Sequence, residues 1–222
     1  SSHAVDLKRV DDCAFDMGIF TNLSPEHLDY HQTMGKYFQA KKRFFEEVLP
    51  AGGKEPRMIV NMDDPWGRRL AKEIALPSLT FGIENRCDVA AEDVKLSVEG
   101  IEATVHTGGK RFTVSSPLLG RFNLYNILAA VAAAVALHIP ESCIQIGIEG
   151  FRSVPGRLEL ISNPGQPQIF VDYAHTDDAL QKVLENLSEI KRGKIITVFG
   201  CGGGRDRGKR PLMGKTATTF SD

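Results

Sequence analysis

Apolar and polar positions follow two different rhythms along this chain. Residues 15–23 form a short apolar run ending in polar residues, which predicts a buried strand leading into a loop. Residues 33–49 instead place Tyr37, Phe38, Phe44, Phe45 and Val48 at helical intervals, and Pro50-Ala51-Gly52-Gly53 stops that pattern. Residues 57–62 predict another strand, Asp63-Asp64-Pro65 a helix start, and residues 79–82 a further short strand. From 89 to 114 the rhythm changes. Three runs (89–98, 101–106 and 111–114) are separated by Glu99-Gly100 and Gly108-Gly109, which predicts a small antiparallel hairpin set. Ala and Leu dominate residues 122–138, a helix that Pro140 limits, and residues 141–149 predict a second helix.

Val154-Pro155-Gly156 reads as a linker. Beyond it the order is strand (168–172), helix (177–190), strand (194–199), glycine loop and helix (211–220), an alternation that predicts parallel βαβ units. The expected class is therefore α/β, with one unit over residues 1–154 and another over 155–222. Repeats and low-complexity segments are missing from the sequence.

Composition narrows the function classes. The chain has 222 residues, 42% hydrophobic and 25% charged, with a formal net charge of −1. Such a balance supplies no global field for nucleic acid or an anionic membrane surface. The longest apolar stretch, 127–137, is too short to span a bilayer, and no signal-peptide pattern is present. Cys13, Cys87, Cys143 and Cys201 lie far apart without metal-ligand spacing, which predicts free thiols in a reducing, cytoplasmic setting. Ser1-Ser2-His3 is not a translation start, and the chain is expected to be an internal piece of a longer protein.

Five segments could carry chemistry. Ser24-Pro25-Glu26-His27 to His31 follows a predicted strand, where parallel sheets bind ligands. His27 and His31 are four apart and could share a helix face as a metal or phosphate site. Equally, Ser24 could cap a helix whose first turn holds Pro25 and Glu26. Lys41-Lys42-Arg43 reads, taken alone, as the solvated basic face of an amphipathic helix. Asn123 and Asn126 open the Ala-rich helix, where amides suit a purine edge, although capping explains one of them. Arg157 on the linker could reach a phosphate, and Asp172 at a strand end could accept ribose hydroxyls. Gly200-Cys201-Gly202-Gly203-Gly204-Arg205 follows a predicted strand and could let backbone N–H groups approach an oxyanion. Two apparent phosphate loops fail. After Gly208-Lys209 stands Arg210 where Ser or Thr should bind magnesium, and before Gly214-Lys215-Thr216 stands Lys209 where the first glycine should be.

Together these segments resemble the Mur ligases, in particular the MurE type. The matching runs are Ser1-Ser2-His3-Ala4, residues 15–31, 37–45 and 118–126, Pro155-Gly156-Arg157, residues 171–176 and residues 200–214, in the family's order. The Gly208-to-Gly214 ending (GKRPLMG) points to the MurE type. The resemblance implies the latter part of a P-loop-type central ATPase domain with a small antiparallel β insertion, followed by the first part of a Rossmann-like C-terminal domain. The family's P-loop and an acidic metal ligand would precede Ser1, and its Asp-Asn-Pro-Arg motif would follow Asp222.

The implied activity is an ATP- and Mg2+-dependent amide ligation. It joins UDP-N-acetylmuramoyl-L-alanyl-D-glutamate to meso-diaminopimelate, or to L-lysine in other members, with diaminopimelate favoured by the Arg205 loop. In the roles the resemblance implies, His27 contacts magnesium, and Lys41 is carbamylated and supports a second magnesium. Asn123 and Asn126 lie near the adenine, Arg157 and Asp172 near ribose and phosphates, and His175 beside the nucleotide. Ser1 and Arg9 touch the UDP-linked substrate, and Arg205 meets the amino acid's carboxylate. The protein is expected to be monomeric, and the fragment alone inactive. Asp177 replaces the family's usual proline, which should alter only a helix start, and Leu7 stands where some members are polar. The competing readings are another Mur-type or folylpolyglutamate-type ligase, and a non-catalytic scaffold with the same fold.

Overall fold

The computed structural model describes residues 1–25, 27–162, 165–202 and 208–222. Helix α1 (Ser2–Asp6) leads to strand β1 (Met17–Phe20), the single turn α2 (Leu28–His31) and α3 (Met34–Arg43). The α3 helix continues as a π-helical segment, Phe44–Val48, and a last turn, α4 (Leu49–Ala51). Strand β2 (Arg57–Asn61), α5 (Pro65–Glu73) and β3 (Ser78–Gly82) follow, then β4 (Val89–Ser97), β5 (Gly100–Thr107) and β6 (Lys110–Ser116). Helices α6 (Arg121–Ala136) and α7 (Glu141–Gly150) precede β7 (Glu159–Leu160), β8 (Phe170–Val171), α8 (Asp177–Ile190) and α9 (Lys209–Phe220).

Six strands form one sheet in the order β1-β2-β3-β4-β5-β6. The first four run parallel, with Phe20 beside Val60, Val60 beside Thr80, and Phe81 beside Val89. The hairpins β4-β5-β6 are antiparallel and extend the same sheet. The predicted antiparallel set is thus joined edge to edge to the parallel core through β3 and β4. Side chains in β5 alternate from Ile101 onward, with Ile101, Ala103 and Val105 buried and Glu102, Thr104 and His106 exposed or half-buried. Their buried face packs with Leu124, Ile127, Leu128 and Val131 of α6. On the other side of β1 and β2, Phe20, Met58 and Val60 pack with Phe38, Phe45, Leu49 and Leu70.

Local chemistry explains the helix starts. Thr33 Oγ accepts from Lys36 N at 3.2 Å, and Asp64 Oδ1 accepts from Trp66 N and Gly67 N, both at 2.9 Å, with Pro65 in the first turn. Thr176 caps α8 through Ala179 N, and Asp177 occupies its first turn, where a carboxylate suits the helix dipole. No helix among the described residues is long and apolar enough to cross a membrane.

Three expectations change. Ser24 and Pro25 do not start a helix: α2 begins only at Leu28, its cap residue is His27 in a left-handed conformation (φ 56°), and Gln32 beyond it also has a positive φ (66°). Glu26 lies outside the described residues. The 168–172 strand narrows to two residues, which pair antiparallel with an unpredicted partner, Glu159–Leu160. Residues 194–199 form no ladder. Ile195 instead bonds Asp222 through both backbone groups, each at 2.9 Å, and Thr197 bonds Ser221. Ile195 is buried with Leu180, Leu184 and Met213, but Ile196 and Val198 are 82% and 94% exposed, so only one face of the run that reads as a strand is covered here.

Candidate active site

The end of β1 and the start of α3 bring the first group of residues together. Asn61 Nδ2 donates to Thr21 O at 2.8 Å and Leu23 N donates to Asp64 Oδ2 at 3.3 Å, so the rim after β1 is tied to the rim after β2. Above that rim, His31 stacks on Tyr37 (ring centroids 5.0 Å apart), and His27 meets the same tyrosine edge-on at 6.0 Å. Lys41 Nζ lies 5.3 Å from that ring's centroid. Tyr37 thus links His27 and Lys41, which the sequence treated separately. His3 completes the cluster at 4.9 Å from His27. The left-handed backbone at His27 is unusual for a residue with a Cβ, and such conformations concentrate at functional sites.

Lys41 lines a cavity of about 330 Å³ with Ser1, Ser2, Thr21, Asn22 and Phe45. Ser1 also caps α1 by accepting from Ala4 N. Arg43 holds α1 against α3 by donating to Val5 O at 2.6 Å and to both oxygens of Asp11. Beside the cavity, His31 Nε2 lies 2.9 Å from the buried Ser2 hydroxyl. Burial, with the neighbouring His3 and His27, holds the His31 imidazole below its ordinary pKa. Arg9 is exposed beyond α1, its N–H donating to Ala4 O, and Leu7 is exposed as well.

The second group sits at the start of α6. Asn123 is not a cap, because the cap residue is Gly120. Asn123 is buried, donating to Leu119 O at 2.8 Å and accepting from Asn126 Nδ2 at 3.2 Å. The two amides therefore form one ordered pair.

A third group surrounds the turn at Gly156. Asp172 accepts from Leu158 N and Ala174 N, both at 2.8 Å, and Tyr173 N donates to Gly156 O at 2.7 Å. Arg157 lies 5.9 Å from the centre of the Tyr173 ring, and His175 meets that ring edge-on at 5.2 Å. Lys209, at the start of α9, donates to His175 O at 3.0 Å. Arg157, Asp172 and His175 are thus brought together, with Tyr173 and Lys209 as partners the sequence reading missed. Arg205, with Gly203, Gly204, Asp206 and Arg207 of the glycine loop, lies outside the described residues.

Sequence reasoning also missed Asp63. It was read only as part of a helix start, yet its carboxylate gathers the loop after β3 and Tyr125 of α6. Only the adjacent Asp64 performs the capping that the pattern announced.

Two family profiles match: the Mur ligase middle domain over residues 1–134 and the Mur ligase, glutamate ligase domain, over residues 156–222. The chain belongs to the Mur ligase family. This Mur ligase chain is 53% identical over 224 residues to a UDP-N-acetylmuramoyl-L-alanyl-D-glutamate--2,6-diaminopimelate ligase of Geobacter metallireducens, and 49% identical over 223 residues to that of Geobacter sulfurreducens. Each alignment takes in 100% of the chain and 44% of the relative, so the chain spans less than half the length of these proteins. A solved structure with the same ligase name superposes at a TM-score of 0.76 and 33% identity, covering 100% of this Mur ligase chain and 45% of that one.

Proposed function

We propose that the full-length protein carrying this chain is an ATP-dependent ligase. It would form the amide bond between the D-glutamyl carboxylate of UDP-N-acetylmuramoyl-L-alanyl-D-glutamate and the amine of meso-diaminopimelate. The observation that carries the reading is the 53% identity, over the whole chain, to a ligase named for those substrates. L-lysine is the competing third amino acid. A carboxylate is a poor acyl donor. Its oxygen first attacks the γ-phosphorus of ATP and expels ADP. The amine then attacks the acyl carbon, phosphate leaves, and the amine loses a proton. Charge gathers on phosphoryl oxygens during both steps, so cationic and N–H donors around them lower the barrier.

In this reading Ser1 and Arg9 face the UDP-linked substrate, a role supported for Ser1 by the cavity it shares with Lys41. Asn123 and Asn126 meet the adenine. Arg157 and Asp172 approach ribose and phosphates, and His175 lies beside the nucleotide, which the Gly156 cluster supports. Arg205 takes the amino acid's carboxylate. The domain assignment, a central ATP-binding unit over 1–154 and a C-terminal unit over 155–222, belongs to the same proposal, as do the monomeric state and the cytoplasmic location.

Magnesium prefers oxygen ligands and keeps several waters, binding through one or two carboxylates and substrate phosphates. Among the described residues no group of three or more His, Cys, Asp or Glu side chains could hold a metal by itself. The chain's own contribution would be His27 and a carbamylated Lys41, whose carbamate turns a cation into a carboxylate-like oxygen donor. Their approach to one ring, Tyr37, fits a shared role. When bound, the ion supplies charge neutralisation on the transferring phosphoryl group.

The test is phosphate release by the full-length protein with ATP, Mg2+ and the UDP-linked dipeptide, adding meso-diaminopimelate or L-lysine in turn. Release that depends on diaminopimelate is expected. Release with L-lysine alone overturns the choice of amino acid, and release with neither, from folded protein that binds ATP, overturns the substrate assignment.

A further inference from the structure

We propose that Asp63 and Tyr125 form a positioning pair that sets how α6 presents Asn123 and Asn126 to the nucleobase; this rests on the adenine reading above. Asp63 follows β2, at the rim where a parallel sheet binds ligands. Its carboxylate accepts from Ile83 N at 2.6 Å, Glu84 N at 3.1 Å, Asn85 N at 2.9 Å and Asn85 Nδ2 at 2.8 Å, all in the loop after β3. The fifth donor is Tyr125 Oη of α6 at 2.9 Å. One carboxylate thus joins the ends of two strands to the first turns of the helix carrying both asparagines.

The surroundings are built for this contact. A Cβ on Gly82 would lie 3.0 Å from both Asp63 carboxylate oxygens, so a side chain there would push on the carboxylate. Burial works against the charge of Asp63, but its bonds to the Ile83, Glu84 and Asn85 donors outweigh that and hold the carboxyl below its ordinary pKa. Burial and the bond to Asp63 push the Tyr125 phenol up, which keeps it a donor. A carboxylate has about four lone-pair sites, so five donors saturate it. It has no capacity left to serve as a base or metal ligand, and the residue acts through what it holds.

Helix geometry connects the pair to the site. Residues three apart share a helix face, whereas a neighbour is turned by about 100°. Asn123 and Asn126 therefore point together, and Tyr125 anchors the helix from the side. Its bond to Asp63 resists rotation of these turns about the helix axis. Because Asn126 donates to Asn123 and Asn123 donates to Leu119 O, any rotation moves both amides at once. An amide oxygen in this place suits an exocyclic amine, where guanine presents a carbonyl.

The experiment uses the full-length ligase and three variants, reading KM for ATP, KM for the UDP-linked dipeptide, kcat and the preference for ATP over GTP. Tyr125→Phe keeps the ring and removes one hydrogen bond to a charged group, so ATP KM should rise about tenfold, with kcat within about twofold of the parent. Preference for ATP over GTP should fall, and KM for the UDP-linked dipeptide should hold. Asp63→Asn should shift the same quantities further, and if it fails to fold, Tyr125→Phe carries the test alone. Asn126→Ala reports on the adenine reading itself. If Asn126→Ala raises ATP KM and Tyr125→Phe does not, the positioning pair is overturned and the adenine reading stands. If neither variant raises it, both fall. If Tyr125→Phe raises the KM of every substrate together, the pair is a general structural element and the proposal is overturned.

Discussion

The side-chain oxygen of Asn186 accepts a hydrogen bond from the backbone N–H of Arg121 at 2.7 Å. The bond joins α8 to the first residue of α6, a helix whose own cap residue, Gly120, has no side chain to offer. Asn186 is held in place by donating to Lys182 O at 2.6 Å. Gly120 has φ 83°, and a Cβ there would lie 2.7 Å from Asn186 Oδ1. Glycine is therefore required twice over, by conformation and by the approach of the borrowed cap.

Asn186→Ala should leave the α6 N-terminus without that acceptor and cost about 1 kcal/mol of local stability, the usual size of a cap. Because the cost is local, the reading is amide hydrogen exchange at residues 121–124 of the full-length protein. Exchange there should quicken by roughly fivefold, the equivalent of that energy. Unchanged exchange at these amides would show that water replaces the cap without loss.

Asn186 also marks what a sequence can and cannot announce. The strands of the parallel core, the antiparallel set and the Ala-rich helix were legible because each has a period matching its geometry and a turn residue ending it. Asp64 acts through near neighbours beside Pro65, so that helix start was legible too; the caps at Thr33 and Thr176 came only with the structure. Asn186 bonds a residue 65 positions away, and Asp63 bonds Tyr125 across 62. Nothing local distinguishes either from a surface residue. The π-helical segment was illegible for a related reason: Phe44 and Phe45 continue a good helical spacing, and the distortion appears where their rings pack on β1. Residues 194–199 misled because an apolar run makes a ladder only when another strand pairs with it: Ile195 is buried against α8 and α9, yet no described strand lies beside it. At the candidate site the residue types were legible, but the convergence of His27 and Lys41 on Tyr37 was not.

The packing beneath Lys41 gives a second prediction. A Cβ on Gly18 in β1 would lie 2.7 Å from Phe44 Cε1 and 2.8 Å from Phe45 Cε1, distances that real contacts do not reach. The rings share a core with Leu49 and meet each other edge-on at 5.2 Å, which limits how far they can shift. Gly18→Ala should therefore destabilise this unit by about 1–3 kcal/mol, the usual cost of overpacking a core. A denaturation midpoint equal to the parent's would mean that the π-helical segment yields without cost.

Asp63 gives a prediction for acid. Its folded pKa lies below the ordinary 3.8, so the folded state favours the carboxylate more than the unfolded state does. That contribution is complete above the unfolded pKa and is lost as pH falls through the folded one. In Asp63→Asn it is missing at every pH. The stability gap between parent and variant should thus be widest at neutral pH and close below about pH 4. Parallel denaturation curves from pH 7 to pH 2.5 measure it, and a gap constant down to pH 2.5 would contradict the assignment of the shift to Asp63.

Lys41 carries the remaining prediction. If its role is to present a carbamate beside the transferring phosphate, Lys41→Ala in the full-length ligase should lose nearly all turnover while still binding the UDP-linked dipeptide. A small carboxylate can enter the space the side chain vacates, because the cavity that Lys41 lines holds about 330 Å³. Added acetate or formate should then restore part of the activity, as an oxygen donor replaces the lost one. Lys41→Arg keeps a cation but cannot form the carbamate, so it should be as inactive as the alanine variant without added acid. Wild-type turnover in Lys41→Ala would remove the carbamate from the mechanism. Activity retained in Lys41→Arg but lost in Lys41→Ala would assign the residue a purely cationic role.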